Sequence, residues 1–97
     1  FLQARKAAGW DYTVLCTVFP KTSPANFNAD FQTPYNSLIT GAGWASANGV
    51  DAVVDFRTVA QSLDASNVTY YSDGTHATQA LQNLLAPVWG TAIDGLW

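Results

Sequence analysis

Two short apolar runs limit the fold more than any other feature of the chain: Tyr12-Thr13-Val14-Leu15-Cys16-Thr17-Val18-Phe19 and Val50-Asp51-Ala52-Val53-Val54-Asp55-Phe56. Both are short and largely apolar, and neither alternates strictly between apolar and polar residues. That is the pattern of strands covered on both faces, as in a parallel sheet. The stretch between them has a helical period. The order helix, strand, helix, strand therefore predicts right-handed crossovers in a parallel sheet and an α/β class.

The intervening helix is expected over Asn28 to Asn48, because Phe27, Phe31, Tyr35, Leu38 and Ile39 recur at three- and four-residue steps. Pro34, Gly41 and Gly43 interrupt it. They predict a break or bend near Pro34 and a weakened helix around Gly41, with Asn48-Gly49 as the end. The helical spacing of Phe27, Phe31 and Trp44 predicts core packing; a carbohydrate-stacking platform is the alternative. Phe1 to Ala8 reads as the end of an earlier helix, with Leu2, Ala4, Ala7 and Ala8 as apolar surface. Arg5 and Lys6 lie near its C-terminal end, where cations are favoured, and Gly9 supplies the stop. Cys16 sits in an apolar run and is expected to be a small buried residue.

Pro20-Lys21-Thr22-Ser23-Pro24 ends the first strand at the edge where open α/β sheets bind ligands. Lys21, Thr22 and Ser23 either line a substrate mouth or serve as turn residues. Asp55 ends the second strand on the same edge and either faces the site or caps the next turn. Arg57 to Asn67 is a linking segment, with a helical turn expected around Val59, Ala60 and Leu63. The clearest amphipathic pattern follows, Leu81, Leu84, Leu85, Val88, Trp89 and Ala92, with Thr78 as N-cap. This helix must lie against the sheet, and its spacing predicts that Trp89, and Trp44 in the earlier helix, are buried. Pro87 removes a bond to the carbonyl of Asn83 and should kink it slightly.

Chemistry concentrates just before that helix, in Tyr70-Tyr71-Ser72-Asp73-Gly74-Thr75-His76-Ala77-Thr78, which holds the single histidine of 97 residues. Asp73 precedes His76 by three positions, with Gly74 between them to let the backbone turn sharply. A carboxylate that accepts from imidazole Nδ1–H fixes the tautomer, leaves Nε2 free to take a proton and stabilises the imidazolium that results. The same residues also suit a surface turn followed by a solvated histidine.

Tyr71 to Thr78, followed by the apolar helix from Leu81 to Ile93, resembles the last signature block of the SGNH (GDSL-type) hydrolases. In that family an Asp-x-x-His before the C-terminal helix supplies two members of a Ser-His-Asp triad. The resemblance implies a three-layer α/β/α, flavodoxin-like parallel sheet, of which residues 1–97 would be the C-terminal portion of a single domain. It implies His76 as general base and Asp73 as orienting carboxylate in an esterase acting on a small ester, a lipid or an acylated carbohydrate. Ala77 stands where the family usually has Pro or Leu. The Gly-Asp-Ser nucleophile block, the glycine block and the Gly-x-Asn-Asp block that complete such a site do not occur in these residues. Ser23, Ser37, Ser46, Ser62, Ser66 and Ser72 lie outside any Gly-Asp-Ser or Gly-x-Ser-x-Gly turn. Ser72 is too close along the chain to Asp73 to serve Nε2. The serine and oxyanion donors are therefore expected from a missing N-terminal portion of the domain, and the chain alone should be inactive.

Composition supports an incomplete surface. Charged residues are 11% and hydrophobic residues 48%, with four tryptophans, so apolar faces are expected to meet a partner or the rest of the domain. With no methionine, and Phe1 already inside what reads as a helix, a native start is not expected at Phe1. No apolar run approaches a membrane span, and a net charge of −3 without a basic cluster argues against nucleic acid. One Cys and one His cannot assemble a metal site at these spacings, and no cofactor is implied. Asn67-Val68-Thr69 is a glycosylation sequon that favours an exposed, secreted position. Two non-catalytic alternatives stand beside the esterase: a carbohydrate-binding module built on Trp10, Trp44, Trp89 and Trp97, and an α/β interaction fragment in which Asp73 and His76 point apart.

Overall fold

The computed structural model describes residues 4, 7–9 and 11–96. The expected first helix falls mainly outside them, as do Trp10 and Trp97. Ala4 and Ala7 are helical, Ala8 N–H donates to the Ala4 carbonyl at 3.0 Å, and Gly9 takes the left-handed φ of 91° that ends a helix.

The two apolar runs form a parallel pair, β1 (Val14–Cys16) and β2 (Ala52–Val54), in the register Val14 to Ala52, Leu15 to Val53 and Cys16 to Val54. Between them lie α1 (Thr33–Ile39) and α2 (Trp44–Ala47), and after them α3 (Gln79–Asp94). The fold is α/β. Both strands are shorter than their apolar runs because side chains take over the ladder at each end. Asp51 Oδ2 accepts from Thr13 N–H at 2.7 Å, and Thr17 Oγ1 accepts from Phe56 N–H at 2.9 Å. β1 is half-buried along its length rather than covered on both faces, and Cys16 with it. Burial pushes the Cys16 thiol pKa up.

The expected break near Pro34 is a change of helical pitch: a wide π-helical turn over Asn28–Gln32 runs on with helical backbone through Gln32 and Thr33, and Pro34 lies in the first turn of α1. The helix stops after Ile39 and restarts at Trp44 beyond Gly43, whose φ is 77°; Gly49, at 72°, closes the segment. Ile39 is buried, whereas Phe31 is 49% and Leu38 53% exposed. The expectation of core packing therefore fails for Phe31. Its ring stacks on Tyr35 at 5.6 Å between centroids and meets Phe27 at a tilt, with centroids 5.4 Å apart. The linking segment carries two 3₁₀ turns, Phe56–Thr58 and Ala60–Leu63.

Helix α3 starts at the expected cap: Thr78 Oγ1 accepts from Leu81 N–H at 3.4 Å and donates to the Thr69 carbonyl at 2.7 Å. It runs through Pro87 and packs on β2. Leu81 and Leu85 enter a core with Val54, Phe56, Ala65 and Tyr71. The apolar stripe is wider than two strands can cover, so its flanks stay open: Leu84 is 38% exposed, Trp89 37%, and Trp44 on α2 half-buried. The expected burial of Trp89 and of Trp44 is thus incomplete. No helix among the described residues is long and apolar enough to cross a membrane.

Truncating the centre of this core should cost far more than truncating its flank. Leu81→Ala is expected to lower unfolding free energy by about 2–5 kcal/mol. Leu84→Ala should cost about 1 kcal/mol or less. Urea unfolding followed by tryptophan fluorescence distinguishes the two, and equal losses would misplace the core.

Candidate functional site

Tyr71 determines where the Asp73 to His76 loop begins. Its ring is 1% exposed, sits edge-on to Phe19 at 6.3 Å between centroids, and its hydroxyl donates to the Ser62 carbonyl at 2.5 Å. Burial, with the Asp64 carboxylate adding, pushes the phenol up to about 12. Tyr71 and Ala77 form an isolated antiparallel bridge, and Ser72 N–H donates to the His76 carbonyl at 3.0 Å, so the loop closes on itself. Phe19 and Phe56, which follow the ends of β1 and β2, pack at a tilt with ring centroids 5.3 Å apart. The loop therefore lies at the edge where both strands end.

Within the loop the two oxygens of Asp73 have different tasks. Oδ1 accepts from Thr75 N–H at 3.0 Å and His76 N–H at 2.8 Å, which makes the turn. Oδ2 lies 2.7 Å from His76 Nδ1. The surface-turn reading and the acid–base reading are thus both realised, one on each oxygen. The His76 backbone N–H, its ring and then the Thr75 N–H hold the Asp73 carboxyl down at about 2. An ionised carboxylate can only accept, so Nδ1 carries the hydrogen and Nε2 is left with its lone pair or a second proton. Nε2 makes no hydrogen bond among the described residues, and the His76 side chain is 76% exposed.

The Pro20 loop clamps this turn from the other side. Thr22 N–H donates to the Gly74 carbonyl at 3.0 Å, and Gly74 has a φ of 76°. A Cβ on Gly74 would lie 3.0 Å from Thr22 Cβ and Cγ2 and closer still to Oγ1. Of the three mouth candidates, Thr22 buttresses the loop, Lys21 Nζ sits 4.6 Å from the Phe27 ring centroid, and Ser23 is exposed. The clamp is itself held by two asparagines the sequence reading passed over. Asn36, 1% exposed, accepts from Val18 N–H at 2.8 Å and donates to Val18 O at 3.0 Å; Asn28 does the same to Lys21 at 2.8 Å in both directions. No apolar pattern marked Asn36, because by helical period it falls on the side away from Phe27, Phe31 and Leu38.

Asp55 caps rather than faces the site. It accepts Arg57 N–H at 3.1 Å and the Arg57 guanidinium at 2.8 Å on each oxygen, and that side-chain bond holds its carboxyl below the usual range. No serine hydroxyl among the described residues bonds to His76 Nε2; Ser72 Oγ turns to the His76 carbonyl at 3.4 Å. A groove of about 380 Å³ opens beside Ala77, lined by Phe19, Phe56, Leu85, Ala86 and Trp89 with Gln82 as its polar member. A larger cleft of about 500 Å³, between β2 and the second half of α3, includes no residue of the Asp73 to His76 loop. The described residues contain no group of His, Cys, Asp and Glu able to hold a metal ion.

An α/β chain with a loop-borne Asp–His pair at the strand ends is the class these observations define. No protein-family model, curated protein or solved structure matches it.

Because Asp73 titrates lower in the folded chain than its ordinary value of 3.8, its contribution to stability is complete above about pH 4. It is lost as pH falls through about 2. Carboxyl carbon NMR should place the Asp73 midpoint near 2 and, because the backbone donors persist, still below the ordinary value in His76→Ala. A midpoint at the ordinary value in the native chain would show the turn unformed. Gly74→Ala should cost about 1–2 kcal/mol from the left-handed backbone. The clash with Thr22 adds about 1–3 kcal/mol. Urea unfolding should show Thr22→Gly recovering only the second part.

Proposed function

We propose that this chain contributes the general base and its orienting acid to an SGNH-type serine esterase. On this reading the two strands and α3 belong to a three-layer α/β/α domain whose nucleophilic serine and oxyanion donors lie outside these 97 residues. One observation carries it: an exposed imidazole whose Nδ1 is 2.7 Å from a carboxylate and whose Nε2 is unengaged.

The chemistry follows from that polarity. A serine Oγ brought to Nε2 gives its proton to His76 as it attacks the ester carbonyl, and Asp73 stabilises the imidazolium through Nδ1. His76 then protonates the leaving alcohol. Water repeats the sequence on the acyl-enzyme, and the proton returns to serine. The turn bonds of Asp73 and the clamp of Thr22 on Gly74 hold the ring's base in place before substrate arrives, which is the restraint general-base catalysis needs. The apolar groove beside Ala77 suits the acyl or alcohol part of a small lipid or acylated-carbohydrate ester.

In the complete enzyme, His76→Ala should lower kcat by roughly 10⁶-fold with the fold intact. Asp73→Asn should lower it roughly 10⁴-fold. Turnover within a few fold of wild type in His76→Ala overturns the proposal. The 97-residue chain alone should take no label from a fluorophosphonate probe, and labelling would place a reactive serine within it.

A further inference from the structure

We propose that Asn67 is an N-glycosylation acceptor. Asn67-Val68-Thr69 is the one Asn-x-Ser/Thr triplet in the sequence, and Pro is absent from its middle position. The structure presents all three residues: each is exposed, Val68 at 80%. Asn67 Oδ1 accepts from Thr69 N–H at 3.0 Å, while Asn67 Nδ2 and the Thr69 hydroxyl make no hydrogen bond among the described residues.

The backbone beneath is already satisfied. The Asn67 carbonyl accepts from Tyr70 N–H at 3.1 Å and Tyr71 N–H at 2.9 Å, and the Thr69 carbonyl accepts from Thr78 Oγ1 at 2.7 Å. A glycan on Nδ2 therefore displaces no contact of the fold. Leu63 at 52% and Val68 at 80% exposed lie close to Asn67 in sequence, so the acceptor stands on open surface.

The donor class is a lipid-linked oligosaccharide diphosphate. Asn67 Nδ2 bonds to the anomeric carbon of the first sugar, the bond from that carbon to the diphosphate oxygen breaks with its electron pair leaving on the lipid diphosphate, and the proton that Nδ2 loses passes to water. No electron transfer is involved. This site is independent of the hydrolase reading, and its test does not use activity.

The chain is expressed behind a cleavable secretory leader in a eukaryotic host, and leader-cleaved protein, secreted and cell-retained, is digested with peptide N-glycosidase in heavy-oxygen water. Expected is a heavy-labelled Asp at position 67 in most of the chain. Thr69→Ala, which keeps the backbone N–H that holds the turn, loses the label, Thr69→Ser retains it, and Asn67→Gln abolishes it. Unmodified Asn67 in leader-cleaved chain, or a label that survives Thr69→Ala, overturns the proposal.

Discussion

The burial of Tyr71 is the constraint on which the rest of this structure depends. A phenol ring taken fully out of water brings about the apolar gain of a large core side chain, but only if its hydroxyl keeps a partner. The Ser62 carbonyl is that partner, so one residue ties the linking segment, the exit of β1 through Phe19, and the loop that carries Asp73 and His76. The loop's other end is secured at Ala77 and Thr78, where the bridge to Tyr71 gives way to the cap of α3. An exposed histidine is thereby mounted between a buried anchor at Tyr71 and a half-buried one at Ala77 and Thr78.

Side-chain amides substitute for strand neighbours along β1's continuation. Beyond Cys16 the backbone leaves its ladder after Thr17, and an unpaired N–H or carbonyl there would be costly where it is half-buried. Asn36 and Asn28 each close a two-bond bracket on it, at Val18 and at Lys21. The rigidity so produced is passed on by Thr22 to the Gly74 carbonyl. The position of the imidazole therefore depends on residues of the segment before α1 and of α1 itself, far from it in sequence.

The open apolar surfaces have a common origin. Two strands offer one narrow platform, and α3 covers it with Leu81 and Leu85 while Leu84 and Trp89 remain at the margins. Phe56 and Trp89, 5.8 Å apart, then form a wall of the groove beside Ala77. That wall sets an apolar surface next to a polar loop, the combination small-ligand sites share.

Much of the local structure was legible in the residues themselves. Thr78 as cap, Gly9 and Gly49 as stops, two parallel strands and the Asp73-Gly74 turn all follow from short-range chemistry, where a side chain or a φ value acts within a few positions. Phe31, Trp44 and Trp89 are less buried than their spacing predicts, because a helical period says which residues share a face but not whether anything lies against it. Asn28, Asn36 and Thr22 were missed as supports, since their partners are backbone groups that no pattern marks. By itself the sequence determined that an acid and an imidazole would share one turn, through the spacing of Asp73, Gly74 and His76. Only the tertiary structure decided where that turn is held, because its anchors, Tyr71 against Phe19 and Thr22 N–H on the Gly74 carbonyl, join it to parts of the chain distant in sequence.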